Sequence, residues 1–161
     1  MRRFLLWLAV VYAPLFARGQ PAGYADISLP LNRLHLNSAF GYRVHPLRGN
    51  WKFHAGIDLA AKQDTVYAVL PGTVTFAGYD PGLGLHVILK HDGNLETIYG
   101  HLSQFWVLPS DTIEAAGALG LTGQTGQVTG EHLHFAVKYN HHFINPLAFL
   151  RALFTEKGPP L

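Results

Sequence analysis

TGEHLHFAVKYN, residues 129–140, sets His132 and His134 either side of a single leucine. In a strand successive side chains alternate faces, so His132, His134 and Ala136 share one side while Leu133, Phe135 and Val137 share the other. One face is oily and the other carries imidazoles. Taken alone, that is an ordinary half-buried strand, because antiparallel sheets commonly keep one face in water. A metal centre needs three or four ligands and a proton shuttle needs a substrate or water beside it. The meaning of the pair therefore depends on what the rest of the chain brings to it.

Working outward, further strand-like runs occur at 65–70, 73–78, 86–91 and 96–101, before the run at 132–138. Turn chemistry bounds them: Pro71-Gly72, Pro81-Gly82 and Asp92-Gly93-Asn94. Between Ala115 and Gly130 glycine recurs every few residues, which predicts tight turns and close backbone approach rather than a packed helix. No Lys-Ser or Lys-Thr follows it, so it is not a phosphate-binding loop. NPLAFLRALF, from Asn145, has a capping residue, a first-turn proline and apolar residues at helical spacing. These signals predict a mainly β fold: one compact antiparallel sheet or sandwich domain with a short C-terminal helix docked on it.

Residues 1–19, MRRFLLWLAVVYAPLFARG, run from two arginines through an apolar stretch to small residues flanking Arg18. That order predicts a cleaved export signal, with cleavage at or just after Gly19. The apolar run is too short for a permanent membrane anchor, and Pro14 interrupts it. The expected organisation is a signal peptide at 1–19, a short N-terminal segment at 20–36, the folded domain at 37–155 and a tail at 156–161. The whole chain carries 12 Lys and Arg against 10 Asp and Glu, and the signal takes Arg2, Arg3 and Arg18 but no acid with it. What remains has no basic excess, which removes the electrostatic case for nucleic-acid binding. The absence of cysteine excludes both disulfides and a lipid-bearing cysteine.

Of the ten histidines, His35, His45, His86, His91, His141 and His142 stand in no convincing motif and read as surface or turn residues. In FHAGIDLAA, His54 and Asp58 are four apart with Gly56 between them. If the segment is extended, positions 54, 56 and 58 point the same way, and the bare glycine leaves room for an ion or for close-packed backbone. Imidazole and carboxylate are both zinc ligands. In TIYGHLS, Ile98, Gly100 and Leu102 oppose Tyr99 and His101, and a histidine beside a glycine is either a loop residue or a group aimed into a cleft. The three segments together supply enough parts for a catalytic metal with three protein ligands plus groups that move protons.

HAGID, YGHLS and GEHLHF, in that order, preceded by SAFGYRVHP and followed by NPLAFL, resemble the lysostaphin-type (LytM-like) zinc metallopeptidases that cut peptidoglycan. The likeness runs from about Asn37 to Leu150. It implies that His54, Asp58 and His134 hold one zinc ion and that His101 and His132 are the unligated catalytic pair, which of them is the general base being left open. It further implies an exported enzyme of the bacterial periplasm or cell envelope that acts on peptidoglycan peptides, the cross-link between stem peptides being the preferred bond. GLGLHVILKH departs from the family's usual Tyr-Gly-Asn turn and is expected to alter only a cleft wall. No added wall-binding domain is evident, which leaves targeting to an envelope partner protein. Two rivals are weaker. A catalytically inactive LytM-like activator of a wall amidase would have lost site residues. A cupin-like barrel would need a glutamate shortly after the second histidine, where Lys138 and Tyr139 stand.

Overall fold

The computed structural model describes residues 26–44, 49 and 51–157. The expected signal peptide and His45 lie outside the described residues. Twelve strands run in order: β1 (Leu36–Ser38), β2 (Gly41–Val44), β3 (Trp51–His54), β4 (Ile57–Ala60), β5 (Thr65–Tyr67), β6 (Gly72–Asp80), β7 (Gly84–Lys90), β8 (Leu95–Phe105), β9 (Thr112–Ile113), β10 (Ala118–Thr122), β11 (His132–Tyr139) and β12 (His142–Ile144). One helix, α1 (Pro146–Lys157), closes the described chain. Among the described residues no helix is long and apolar enough to cross a membrane.

Ten strands form one antiparallel sheet whose main path is β1-β4-β11-β8-β7-β6-β9, with β10 bridging β5 and β8 and β12 pairing with β11. β2 and β3 form a separate two-stranded ribbon. A lone ribbon is marginal in water, and this one gains from its aromatics: Phe53 meets both Phe40 and Tyr42 edge to face at 5.1 Å between ring centroids. The core lies under the central strands and includes Ile57, Leu59, Val66, Val87, Leu89, Tyr99, Leu102, Leu133, Phe135 and Val137. Leu150 of α1 joins it. Asn145 caps the helix as expected, its Oδ1 accepting the Leu147 and Ala148 N–H groups at 3.0 and 3.3 Å.

The structure amends three sequence expectations. β11 has no wet face: every residue from Leu133 to Val137 is buried, so the imidazole side is as enclosed as the oily side at its centre. The glycine-rich stretch is not all turn, because β10 runs through it. Its glycines do serve close approach, since a Cβ at Gly120 would sit 2.2 Å from the Gln104 carbonyl oxygen. Finally, His86 and His91 are buried, not surface or turn residues. His91 forms a chain of polar contacts through the interior: Nδ1 lies 2.7 Å from the Pro71 carbonyl oxygen and Nε2 2.8 Å from Thr97 Oγ1. Thr97 Oγ1 gives its hydrogen to that nitrogen and accepts from the Tyr99 hydroxyl at 3.0 Å, and the Tyr99 oxygen accepts the Val69 N–H. An imidazole can be buried where both ring nitrogens find partners, and no spacing rule in the sequence reveals that.

Candidate active site

β4, β11 and β8 lie side by side, and their register places the key residues opposite one another. His134 pairs directly with Asp58 on β4 and with Gly100 on β8. Position 56 is not part of a continuous strand with 54 and 58: β3 ends at His54 and β4 starts at Ile57, so His54 comes from the ribbon and Asp58 from the main sheet. Gly56 lies at that crossing. A Cβ there would fall 2.6 Å from the Phe135 carbonyl oxygen and 2.7 Å from two atoms of the His134 ring. The space left by the glycine is filled by the strand bearing His134.

His101 reaches the site by a different device. Continuous alternation would put its ring on the Tyr99 side, into the core. Opposite β7, however, Tyr99 pairs with Val87 and Leu102 with Leu85, so two residues of β8 face one of β7. This is a β-bulge, and His101 sits in it with φ of 61°. The extra residue returns Leu102 to the core side, where it is fully buried, and turns the His101 ring toward β11. Ring centroids of His101 lie 4.8 Å from His132 and 5.7 Å from His134. The His101 N–H bonds the Leu83 carbonyl at 2.7 Å. GLGLHVILKH, expected to shape only a wall, thus also holds this histidine's backbone.

Thr125 clamps the same bulge. Its hydroxyl donates to the Leu102 carbonyl at 2.7 Å and accepts the Leu85 N–H at 2.9 Å. Its carbonyl oxygen lies 2.8 Å from His101 Nδ1. Two more carbonyls act alike: Ala39 O is 2.9 Å from His54 Nδ1 and Gly130 O is 2.9 Å from His132 Nδ1. A carbonyl only accepts, so each Nδ1 carries the hydrogen and the Nε2 lone pair of each neutral ring is left for the site.

Nitrogens of three of the rings converge on a carboxylate. Asp58 Oδ1 lies 2.9 Å from His134 Nδ1, 3.2 Å from His54 Nε2 and 3.4 Å from His132 Nε2. His54 Nε2 and His134 Nδ1 are 3.2 Å apart. Burial alone would raise the Asp58 pKa, but the contacts with His132, His134 and His54 hold it well below the usual carboxylate range. Burial pushes His101 down to about 4, against the pull of its bond to Thr125. Burial also lowers His134. For His132 burial acts downward too, and the contact with Asp58 outweighs it, leaving that ring raised.

Neutral rings with inward lone pairs around an ionised carboxylate repel one another unless a cation lies among them. His54, Asp58 and His134 each offer a ligand atom, all within 4.8 Å of one another. Tetrahedral zinc with bonds of about 2.0–2.1 Å places its ligand atoms about 3.3 Å apart, close to the spacings seen. Two imidazoles and one carboxylate are also a donor set used by zinc that keeps an open position for water. The cleft in front of them, of about 550 Å³, is lined by these three residues with His101 and His132, and also by Arg43, Lys52 and Asp80.

Residues 52–146 match the model of peptidase family M23. The chain belongs to that family. It is 39% identical over 120 residues to the DD-carboxypeptidase/endopeptidase Mpg of Neisseria meningitidis, which covers 74% of this chain and 28% of that protein. The chain therefore matches under a third of that relative's length. A zinc containing peptidase from Vibrio cholerae is similar in structure with a TM-score of 0.70 at 28% identity, covering 76% of this chain and 39% of the other. The catalytic domain of lysostaphin from Staphylococcus simulans gives a TM-score of 0.66 at 28% identity, covering 73% and 92% respectively.

Within this M23 domain all five residues singled out by sequence meet at one place. The sequence reading missed their supports. Arg43 lay in the quoted SAFGYRVHP without a role, and its Nη2 stands 3.5 Å from Asp58 Oδ2. Glu131, directly before the HLH strand, accepts the Gln63 N–H through Oε1 and ties the start of β11 to the loop after β4. Thr125 was hidden in TGQTG, where turn chemistry was the only visible signal.

Proposed function

We propose that this chain is an exported zinc metalloendopeptidase of the bacterial periplasm or cell envelope that hydrolyses peptide bonds in peptidoglycan, stem-peptide cross-links foremost. His54, Asp58 and His134 would hold one zinc ion, and His101 and His132 would be the catalytic pair. The observation that carries this reading is the convergence of three imidazole nitrogens, from His54, His132 and His134, on the one ionised carboxylate of Asp58, in a cleft that His101 also lines. An amidase activator without catalysis requires no such arrangement. Membership of the M23 peptidases supports peptide hydrolysis, and the names of Mpg and of the Vibrio cholerae peptidase support the bond class and the metal.

Bound zinc supplies Lewis acidity, lowering the pKa of a water from near 16 to about 7 and polarising a carbonyl. The remaining chemistry belongs to the chain. His101 and His132 each present Nε2 to the site, so the pair can take a proton from the attacking water and deliver it to the leaving amine. A protonated Nε2 can also donate to the oxygen on which negative charge develops. Both rings are anchored at Nδ1, so neither has to swing to do this. The segment at 1–19 supports export through its basic start, apolar middle and small-residue end. An envelope partner protein would supply targeting.

The test is digestion of purified peptidoglycan with fragments read by mass spectrometry, beside His132→Ala and a chelator-treated sample. Loss of cross-linked dimers only with the zinc-loaded wild type is the expected result. Intact wall material despite stoichiometric zinc would sink the reading in favour of the activator or of another substrate.

A further inference from the structure

Arg43 on β2 and Lys52 on β3 are direct cross-strand partners in the ribbon that also delivers His54. Like charges directly opposite on an antiparallel pair destabilise it. Lys52 and His54 are two apart on one strand and so share a face, and both cations line the cleft. Among the described residues the cleft wall contains two acids, Asp58 and Asp80, and both are engaged. Asp58 Oδ1 faces three imidazole nitrogens, and Oδ2 is 3.5 Å from Arg43 Nη2, longer than a charge-assisted hydrogen bond. Asp80 Oδ1 accepts the Gly82 and Leu83 N–H groups at 2.7 and 2.8 Å, and Oδ2 faces His86 Nε2 at 3.6 Å. Lys52 has no carboxylate within ion-pair distance among the described residues. Among the described residues Arg43 Nε is shut away from solvent without a partner, which leaves the Nη end of the guanidinium to work in the cleft.

We propose that Arg43 and Lys52 form an anion subsite beside the metal-ligating residues, and that it takes a carboxylate of the peptide substrate. The proposal rests on the peptidase reading above and names a substrate class for it: acidic peptides, held by a carboxylate near the bond to be cut. A guanidinium fork and an ammonium on adjacent strands suit a planar carboxylate, the arginine fixing its plane and the lysine adding charge. In a stem peptide that group is either the terminal carboxylate or a side-chain carboxylate.

The experiment uses the full chain loaded with zinc and a synthetic cross-linked stem-peptide dimer, prepared as the free acid, the C-terminal carboxamide and the side-chain carboxamide. Lys52→Gln should raise KM for the free acid about tenfold or more, the loss expected for one hydrogen bond to a charged group, with kcat and zinc stoichiometry little changed. Whichever carboxamide binds wild type as poorly as the variant binds the acid identifies the carboxylate recognised. Arg43→Lys, which keeps the charge and loses the fork, should weaken binding less than Arg43→Gln. Calorimetric titration of the same peptides into zinc-loaded His132→Ala, with and without Lys52→Gln, reads the subsite independently of turnover. Cleavage of none of the peptides counts against the peptidase reading, while those titrations still decide the subsite. Equal affinity of wild type for all three forms, or equal weakening of all three by Lys52→Gln, would overturn the proposal.

Discussion

Replacing Gly56 by alanine asks whether the proposed metal ligands depend on the close crossing of two backbones. The added methyl would lie 2.6 Å from the Phe135 carbonyl oxygen and 2.7 Å from His134 Cε1 and Nε2. Ordinary contact begins at 3.4 Å, so the Phe135 oxygen must retreat by about 0.8 Å. That oxygen belongs to a central strand bonded on both sides, to β4 and to β8, and cannot move alone. Overpacking of this kind costs about 1–3 kcal/mol. At about 4 °C per kcal/mol the metal-free protein should melt several degrees lower. The strand that shifts also carries His134, so zinc affinity should fall about 10- to 100-fold, as when an orienting contact of a metal ligand is lost. The assay is thermal unfolding of the metal-free protein together with competition for zinc against a chromophoric chelator. Gly130→Ala is the matched control, because a Cβ there meets nothing within 4 Å. A Gly56→Ala protein with wild-type melting and zinc affinity would refute the argument that this glycine admits the His134 strand.

Thr125→Val removes the hydroxyl that joins Leu85 to Leu102 across the bulge but keeps the carbonyl on His101; kcat should drop about tenfold with zinc stoichiometry intact, and stability should fall by about 1–3 kcal/mol. Unchanged kcat would show that the bulge holds His101 without it. His91 tests pH dependence away from the metal site. Burial lowers its pKa below the ordinary histidine value, so the unfolded chain takes up a proton near pH 6.5 while the folded protein does not. Stability should therefore decline as pH falls below about 6.5, by at most about 1.4 kcal/mol per pH unit from this group. Denaturant unfolding of His91→Gln between pH 7 and 5 should show a shallower slope than wild type, and an identical slope would refute the assignment. Zinc at about a thousandfold its Kd should stabilise the folded chain by about 4 kcal/mol, read as a chelator-reversible rise in Tm; no rise would count against the metal site.

Much of the site was legible because its chemistry is concentrated in short motifs. The residue types in HxxxD and HxH are those a metal requires, and strand alternation in HLHFAVK put both histidines on one side, where both rings reach Asp58. The helix at Pro146 was legible from Asn145 and Pro146 for the same local reason. The short strands β1 to β3 were not, because three or four residues are too few for alternation to stand out from a turn. Yet β3 carries His54, and its separation from β4 cannot be read from HAGID, where strict alternation put positions 54, 56 and 58 on a single strand.

His101 marks the limit most sharply. Alternation from Tyr99 points its ring into the core, and only the extra residue in β8, set by pairing with β7 some fifteen positions earlier in the chain, turns it outward. The three carbonyls that fix Nδ1 of His54, His101 and His132 belong to Ala39, Thr125 and Gly130, and their side chains take no part in those bonds. Any residue type has a carbonyl, so composition and spacing carry no trace of this layer. The imidazoles are written in the sequence as residues, whereas the direction of their lone pairs is written in backbone geometry. Substitutions that leave all five site residues intact, such as Gly56→Ala or Thr125→Val, should consequently still weaken the site by about tenfold or more.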